Sequence, residues 1–402
     1  MENLLTTDQA RVKNGIITAL YSGSRRIVLK GSAGVGKTFL INTLLQEYQP
    51  MRGIIYVAAP THKALAVIKD KITDDGGITF CTVHSGLRLK RVIKKGKILF
   101  EKGKEQGFVN CGLLVIDEAS MIGRDILGHL EEYDFPILFI GDDKQINPVK
   151  EKNSPVFEQH WREFKLDKIV RQSLGNPIIT LSRNLSLLDS NIADINEEKG
   201  YLFTTDRHKV IQRLAEANGS NDLKYLSWTN ADVDTVNNSV RRLLYGEDAR
   251  LVELGETLVV DAPYKNYYTN QEVVVEELSV LTKKVFPHRL LPVINVRYYL
   301  INNDIEVVHE DSIRDFKLAC SELKTLTIDG KASWKQYYMF LESFLSFKYN
   351  HALTVHKSQG STYKDAIINV KNIKRNPDKV EKERLLYTAV TRPSEKLIIF
   401  NP

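Results

Sequence analysis

The sequence carries only three cysteines, Cys81, Cys111 and Cys320, far apart and without a CxxC pair. This spacing argues against a metal knuckle or a disulfide scaffold and fits a reducing compartment. No apolar run approaches the length of a membrane span. The opening stretch MENLLTTDQARVKNG lacks a basic region followed by an apolar core, so no signal peptide is expected. Charge of one sign is also scarce: 56 basic against 50 acidic residues leave +6, too small an excess to imply a polyanionic partner by itself. No sequence repeat is visible. What remains is an ordinary globular composition, 43% hydrophobic and 26% charged, over 402 residues, enough for roughly two to four domains.

The charge that is present is unevenly placed. From Gly86 to Lys104 there are eight basic residues and one acidic residue. Such a stretch is either a solvated hairpin or a phosphate-contacting surface, and composition does not choose between them.

Residues 25–45, RRIVLKGSAGVGKTFLINTLL, run from a β-rich segment through glycines into a helical pattern. The centre, Gly31 to Thr38, reads GxxxxGKT. In such a loop the backbone N–H groups of residues like Ala33, Gly34, Val35 and Gly36 wrap phosphate oxygens, and the following helix N-terminus adds its dipole. Lys37 is expected to neutralise the β- and γ-phosphates of ATP and Thr38 to hold Mg²⁺. A second apolar run, Leu113 to Ile116, ends in Asp117 and Glu118. Asp117 suits the metal's water shell, and Glu118 suits a general base for an attacking water. A third run, 136–140, ends in Gly141-Asp-Asp-Lys-Gln145. Three parallel buried strands with adjacent tips would bring Lys37, Glu118 and Gln145 around one γ-phosphate. An amide does not titrate, so Gln145 is expected to sense the phosphate rather than act as a base.

Two further strand tips carry Pro60, Thr61 and His62, and Thr82, His84 and Ser85. Hydroxyls, imidazoles and free helix N–H groups suit a phosphodiester backbone, although each tip read alone also fits simple helix capping.

The order of the segments LTTDQ (5–9), GSAGVGKT, APTHKA, TVHS, VIDEAS, GDDKQINPV, IVRQS (169–173), ALTVHKSQGSTY (352–363) and LLYTAVTRP (385–393) resembles superfamily 1 helicases. The wording is nearest the 5′→3′ subclass that holds the Dda, RecD and Pif families. The resemblance implies an α/β fold of two RecA-like P-loop lobes with parallel sheets, a β-hairpin insertion and an SH3-like insertion with helical elaboration. The first lobe is expected over 1–85 and 110–170, the hairpin (a strand-separating pin) over 86–109, the second lobe over 171–266 and 349–402, and the SH3-like unit over 267–348. It further implies that Gln9 reads the adenine edge, that Arg171 and Arg392 reach the γ-phosphate from the second lobe, and that Gln359 and Gly360 face the nucleotide. An arginine placed there is worth roughly 10³–10⁵ in rate. Thr354, His356 and Lys357 are expected on DNA phosphates, and Phe100 at the junction base pair, although Phe100 also fits a mini-core with Ile98.

Two departures from the family wording stand out. Asn270-Gln271 replaces the usual Asn-Gly turn, and Pro393-Ser394 stands where many relatives carry a second arginine. The implied protein is a cytoplasmic monomer, in a host's cytoplasm if phage-encoded. It would act on single-stranded DNA and on junctions with duplex, beside replication or recombination proteins such as a single-strand-binding protein. The rival readings are a translocase that strips proteins from single strands, an ATP-switched loading protein and a simple P-loop kinase.

Overall fold

The structure is a computed structural model that describes residues 5–73, 76–148, 151–168, 175–196, 198–219 and 222–402. Arg171 lies outside the described residues.

The first lobe is built on a sheet from strands β1 (Arg26–Gly31), β2 (Ile54–Ala59), β3 (Ile78–Thr82), β6 (Cys111–Ile116), β7 (Ile137–Gly141) and β8 (Arg162–Leu166), with β4 (Leu89–Lys94) and β5 (Lys97–Lys102) set apart as a hairpin. The sheet order is β3-β2-β6-β7-β1-β8, and every pairing in it is parallel. Helices cover both faces of this sheet, so its central strands can be apolar throughout rather than alternating. Ile27, Leu29, Leu114, Val115, Leu138 and Phe139 are all buried. The expected neighbours β6, β7 and β1 do lie side by side. Their C-terminal tips therefore open onto one crevice.

The second lobe repeats the plan with β9 (Asp194–Asn196), β10 (Lys199–Thr204), β11 (Leu223–Ser227), β18 (Ala352–Thr354), β19 (Tyr363–Asn369) and β20 (Pro393–Phe400) in the order β18-β11-β19-β20-β10-β9. Here the edge strand β9 runs antiparallel, so this sheet is parallel except at one edge.

The insertion in the second lobe forms two three-stranded antiparallel sheets. One joins β12 (Thr257–Val260), β13 (Glu272–Val274) and β17 (Phe347–Tyr349); the other joins β14 (Leu278–Val285), β15 (Ile294–Ile301) and β16 (Ile305–Val308). They share a core in which Leu258, Val260 and Val273 pack with Tyr299, Ile305 and Val307. Because β12 belongs to it, this unit begins ahead of the expected start at 267. Asn270 takes φ 67°, a left-handed conformation that asparagine tolerates better than most residues, whereas Gln271, which stands where the usual turn has glycine, is not at positive φ. Helices Glu310–Ile328 and Trp334–Leu341 complete the insertion. Its root is fixed by a buried pair, Arg241 Nε to Glu256 Oε1 at 2.6 Å, with the guanidinium 4.1 Å over the Tyr349 ring.

The hairpin β4–β5 turns through Lys95 and Gly96, both at positive φ, which matches the twist of a tight two-residue hairpin. Helix Trp334–Leu341 clamps it: Tyr338 Oη donates to the Gly96 carbonyl at 3.0 Å, and Arg91 forks onto Glu342, with Nη1 to Oε2 at 2.7 Å. A Cβ at Gly96 would come within 2.7 Å of the Trp334 ring, so glycine there serves both the turn and the contact.

Candidate nucleotide site and nucleic-acid interface

The loop after β1 passes Gly34 at φ 78° and Gly36 at φ 76° before helix Lys37–Glu47 begins. These glycines let the chain curl so that backbone N–H groups face inward. Lys37 Nζ donates to the carbonyls of Gly31 at 2.6 Å and Ser32 at 3.2 Å, so the ammonium lies across the loop's own mouth.

At the tip of β6, Glu118 has φ 52° and ψ 42°. A non-glycine residue in this region costs roughly 1–2 kcal/mol and is typical of functional turns. Burial raises the Asp117 carboxyl above its usual range, Glu118 raises it further, and Lys37 and Lys71 oppose them. Asp117 thus feels the charge of Lys37 at the start of the helix that carries Thr38. Two adjacent carboxyl groups with one of them disfavoured as an anion are a chemical fit for a divalent cation, which would reverse that preference.

Gln145 is 5% exposed, and its Oε1 is buried without a hydrogen-bond partner among the described residues. An orphaned acceptor asks for a donor. A phosphate oxygen cannot donate, whereas a water can.

The loop that holds Gln145 is gripped from the second lobe. Arg384 Nη1 donates to the carbonyls of Asp143 at 2.6 Å and Gln145 at 2.7 Å. Tyr387 Oη donates to Asp142 Oδ2 at 2.6 Å and accepts from the Ala33 N–H at 3.4 Å. Thr388 Oγ1 accepts from the Ile146 N–H at 3.3 Å, and Gln359 Nε2 donates to the Ile146 carbonyl at 3.1 Å. Arg384, Tyr387 and Thr388 lie on helix Lys379–Val390 at offsets of three and four, hence on one face. Sequence reading missed Arg384 and Tyr387; that spacing was the available signal.

Four residues expected at the nucleotide make contacts within the protein. Gln9, expected at an adenine edge, donates Nε2 to the Val35 carbonyl at 3.1 Å and accepts from the Thr6 N–H at 3.0 Å in a capping box. Its amide therefore braces the phosphate loop. Gln359 bonds the Gln145 loop as above. Gly360, at φ 70°, sits where a Cβ would come within 2.8 Å of Ala64 Cβ, so it is a close contact between lobes. Arg392 is buried and donates to the carbonyls of Thr388 at 3.1 Å and Ser361 at 3.0 Å, so its guanidinium is held within its own lobe.

On the other side of the seam, Thr61 and Thr82 cap the helices that start at His62 and Val83, accepting from Ala64 N at 3.1 Å and Ser85 N at 3.2 Å. Pro60 precedes the first cap. His62 stacks on Tyr268, with ring centroids 4.2 Å apart, and His84 meets Phe100 edge-on at 5.0 Å. Burial lowers the pKa of both imidazoles, which favours their neutral forms. Phe100 is 49% exposed with Ile98 and Leu99 also exposed beside it, so it does not form a mini-core. Thr354 Oγ1 accepts from Lys357 N at 3.4 Å, Lys357 pairs with Asp261 at 2.5 Å, and His356 approaches Glu381 at 3.4 Å. Among the described residues no helix is long and apolar enough to cross a membrane, and no group of three or more His, Cys, Asp or Glu side chains forms a metal cluster.

Residues 14–151 match the AAA domain family, and residues 349–400 match the UvrD-like helicase C-terminal domain. Over 96% of this chain and 97% of its own length, the ATP-dependent DNA helicase dda of Enterobacteria phage T4 is 26% identical. The chain is related to the superfamily 1 helicases. An uncharacterised protein of Acanthamoeba polyphaga mimivirus is 24% identical to this chain over 98% of it and 99% of that protein. The Pif1 helicase of Campylobacter jejuni is 22% identical over 91% and 86%. Among solved structures, Bacteroides Pif1 in complex with ADP-AlF3 and single-stranded DNA superposes with a TM-score of 0.54 at 19% identity, covering 99% of this chain and 92% of that one. The shared fold is the two-lobed α/β arrangement described above.

Proposed function

We propose that this protein is an ATP-driven motor that moves 5′→3′ along single-stranded DNA and separates duplexes. The observation that carries this reading is the Gly141–Ile146 loop: Gln145 stands at the tips of the catalytic strands while the second lobe holds the loop's backbone through Arg384, Tyr387, Thr388 and Gln359. A change in lobe position must therefore move Gln145, and a change at Gln145 must be felt by the second lobe.

ATP is the substrate. The Ala33–Gly36 backbone cradles its phosphates, with Lys37 turned from its own carbonyls onto the γ-phosphate. Mg²⁺, when bound, is held by Thr38 and Asp117 and neutralises phosphate charge. Glu118 accepts the proton of the attacking water, and Gln145 Oε1 orients that water. Arg171 and Arg392 approach from the second lobe as it closes, with Arg392 exchanging its carbonyl partners for phosphate oxygens. ATP favours the closed arrangement because it binds that state better. On the opposite side Thr61, His62, Thr82 and His84 hold the strand from one lobe and Thr354, His356 and Lys357 from the other. Alternating grip moves the protein along the strand. The hairpin, held at its turn by Tyr338 on the Gly96 carbonyl and carrying exposed Phe100, favours duplex separation over mere protein stripping, because a wedge must be rigid to work. The protein works as a monomer in the cytoplasm, beside a single-strand-binding protein.

The test is unwinding of two matched duplexes, one with a 5′ and one with a 3′ single-stranded tail, with Lys37→Ala as the inactive control. Opening of the 5′-tailed duplex alone is expected. Opening of the 3′-tailed duplex alone overturns the polarity, and failure of both overturns the unwinding role.

A further inference from the structure

Three of the half-exposed ion pairs that join the insertion to the rest of the molecule share one pattern, whereas Lys348 of the insertion pairs in the opposite sense with Asp234 of the second lobe at 3.3 Å. Lys63, in the first turn of helix His62–Lys69, pairs with Glu272 at 3.4 Å. Lys357, in the turn after β18, pairs with Asp261 at 2.5 Å. Arg91, on the hairpin, forks onto Glu342 with Nη1 at 2.7 Å. The three bases come from the first lobe, the second lobe and the hairpin, which are the three segments proposed to touch the strand. The three carboxylates all come from the insertion. On Arg91 the carboxylate meets a fork of N–H donors that would take a phosphodiester in the same geometry, and on Lys63 and Lys357 it neutralises an ammonium as a phosphate oxygen would.

Two observations point to a ligand in this seam. Lys63, Lys224, Lys348 and Lys357 line one cavity there with Thr354 and Tyr363. Tyr363 is 2% exposed, lies under Lys63 at 5.5 Å, and its hydroxyl has no hydrogen-bond partner among the described residues. A buried hydroxyl donor among cations suits an anionic oxygen. The six side chains of the three pairs keep between 23% and 35% of their surface exposed, so an incoming strand can reach them.

We propose that Asp261, Glu272 and Glu342 are stand-ins for nucleic-acid phosphates, which the strand displaces, and that they set the affinity and the minimum length of strand the motor accepts. This rests on the single-stranded DNA reading above. Each exposed pair must be broken before its base can take a phosphate, at a cost that corresponds to roughly two- to fivefold in affinity. A short oligonucleotide reaches one pair and gains little, whereas a longer one exchanges all three.

The experiment measures the affinity of labelled oligo-dT of increasing length by fluorescence anisotropy, without nucleotide, at several salt concentrations. It compares the wild type with Asp261→Asn, Glu272→Gln, Glu342→Gln and the triple variant, and thermal unfolding is followed on the same samples. Each amide is expected to tighten binding at low salt by about two- to fivefold, with the gain shrinking as salt screens the pairs. The triple variant should accept shorter strands. Should a lobe-facing variant unfold, Glu342→Gln on the hairpin side carries the same test. Amide variants that fold normally and bind no tighter than the wild type overturn the proposal and make the pairs structural ties. A wild type that binds no oligonucleotide at any salt overturns the motor reading as well.

Discussion

The two sides of the seam between the lobes are held together by different chemistry. On the nucleotide side, Arg384, Thr388 and Gln359 bond to backbone atoms of the Gly141–Ile146 loop, and Tyr387 adds the Asp142 carboxyl. On the nucleic-acid side, Lys63 and Lys357 meet half-buried carboxylates of the insertion. Backbone carbonyls fix a loop in space and have no soluble rival of similar shape. Carboxylates can be exchanged for phosphates one at a time. The first side is built to transmit position, the second to trade partners.

The comparison can be broken most severely at Glu118. Glu118→Gln should lower the ATP hydrolysis rate by about 10²–10⁴ while leaving single-stranded DNA affinity unchanged. A parallel loss of affinity would mean that the two sides are not separable. Arg384→Ala removes two charge-assisted bonds to the Gln145 loop, and the DNA-stimulated turnover number should fall about tenfold with KM for ATP held. Arg384→Lys should recover part of it; a rise in KM alone would place Arg384 in nucleotide binding instead. At the hairpin, Phe100→Ala removes a stacking platform worth about 1–3 kcal/mol per base. Unwinding should slow while hydrolysis on single strands continues. A titration series across salt sharpens the other side: Lys357→Gln should flatten the slope of log K against log salt by about 0.7.

The smallest effect concerns pH. Burial and Glu118 hold the Asp117 pKa above its unfolded value, so the folded protein binds more protons than the unfolded chain between the two. That contribution is present at low pH and is lost as pH rises through the raised value. Asp117→Asn should therefore raise the unfolding temperature of the nucleotide-free protein near neutral pH and flatten its pH dependence. Calorimetry across mildly acidic to neutral pH checks this.

Much of the fold was legible because its central strands are continuous apolar runs ending in chemistry-bearing residues. The adjacency of β6, β7 and β1 follows from needing Lys37, Glu118 and Gln145 at one phosphate. Strand β12 was not legible as part of the insertion, since TLVV reads as any lobe strand and only its pairing with β13 and β17 assigns it. The left-handed turn at Glu118 was also hidden, because a glutamate gives no local hint of positive φ. Gln359 and Gly360 were expected at the nucleotide because the family's motif wording places them there. Their contacts with Ile146 and Ala64 depend on how two distant lobes meet, which local pattern does not encode. Arg384 escaped for the opposite reason: its spacing to Tyr387 and Thr388 marks a shared helix face, but nothing local says that this face meets the other lobe.

The most direct test of the account is linkage between the two sides. Single-stranded DNA affinity is measured with and without a non-hydrolysable ATP analogue, in the wild type and in Gln145→Ala. The analogue should shift the wild-type Kd at least about fivefold, and Gln145→Ala should bring this factor close to one while still binding the analogue. An equal shift in both proteins would contradict it, because the Gly141–Ile146 loop would then not be the connection between nucleotide and strand.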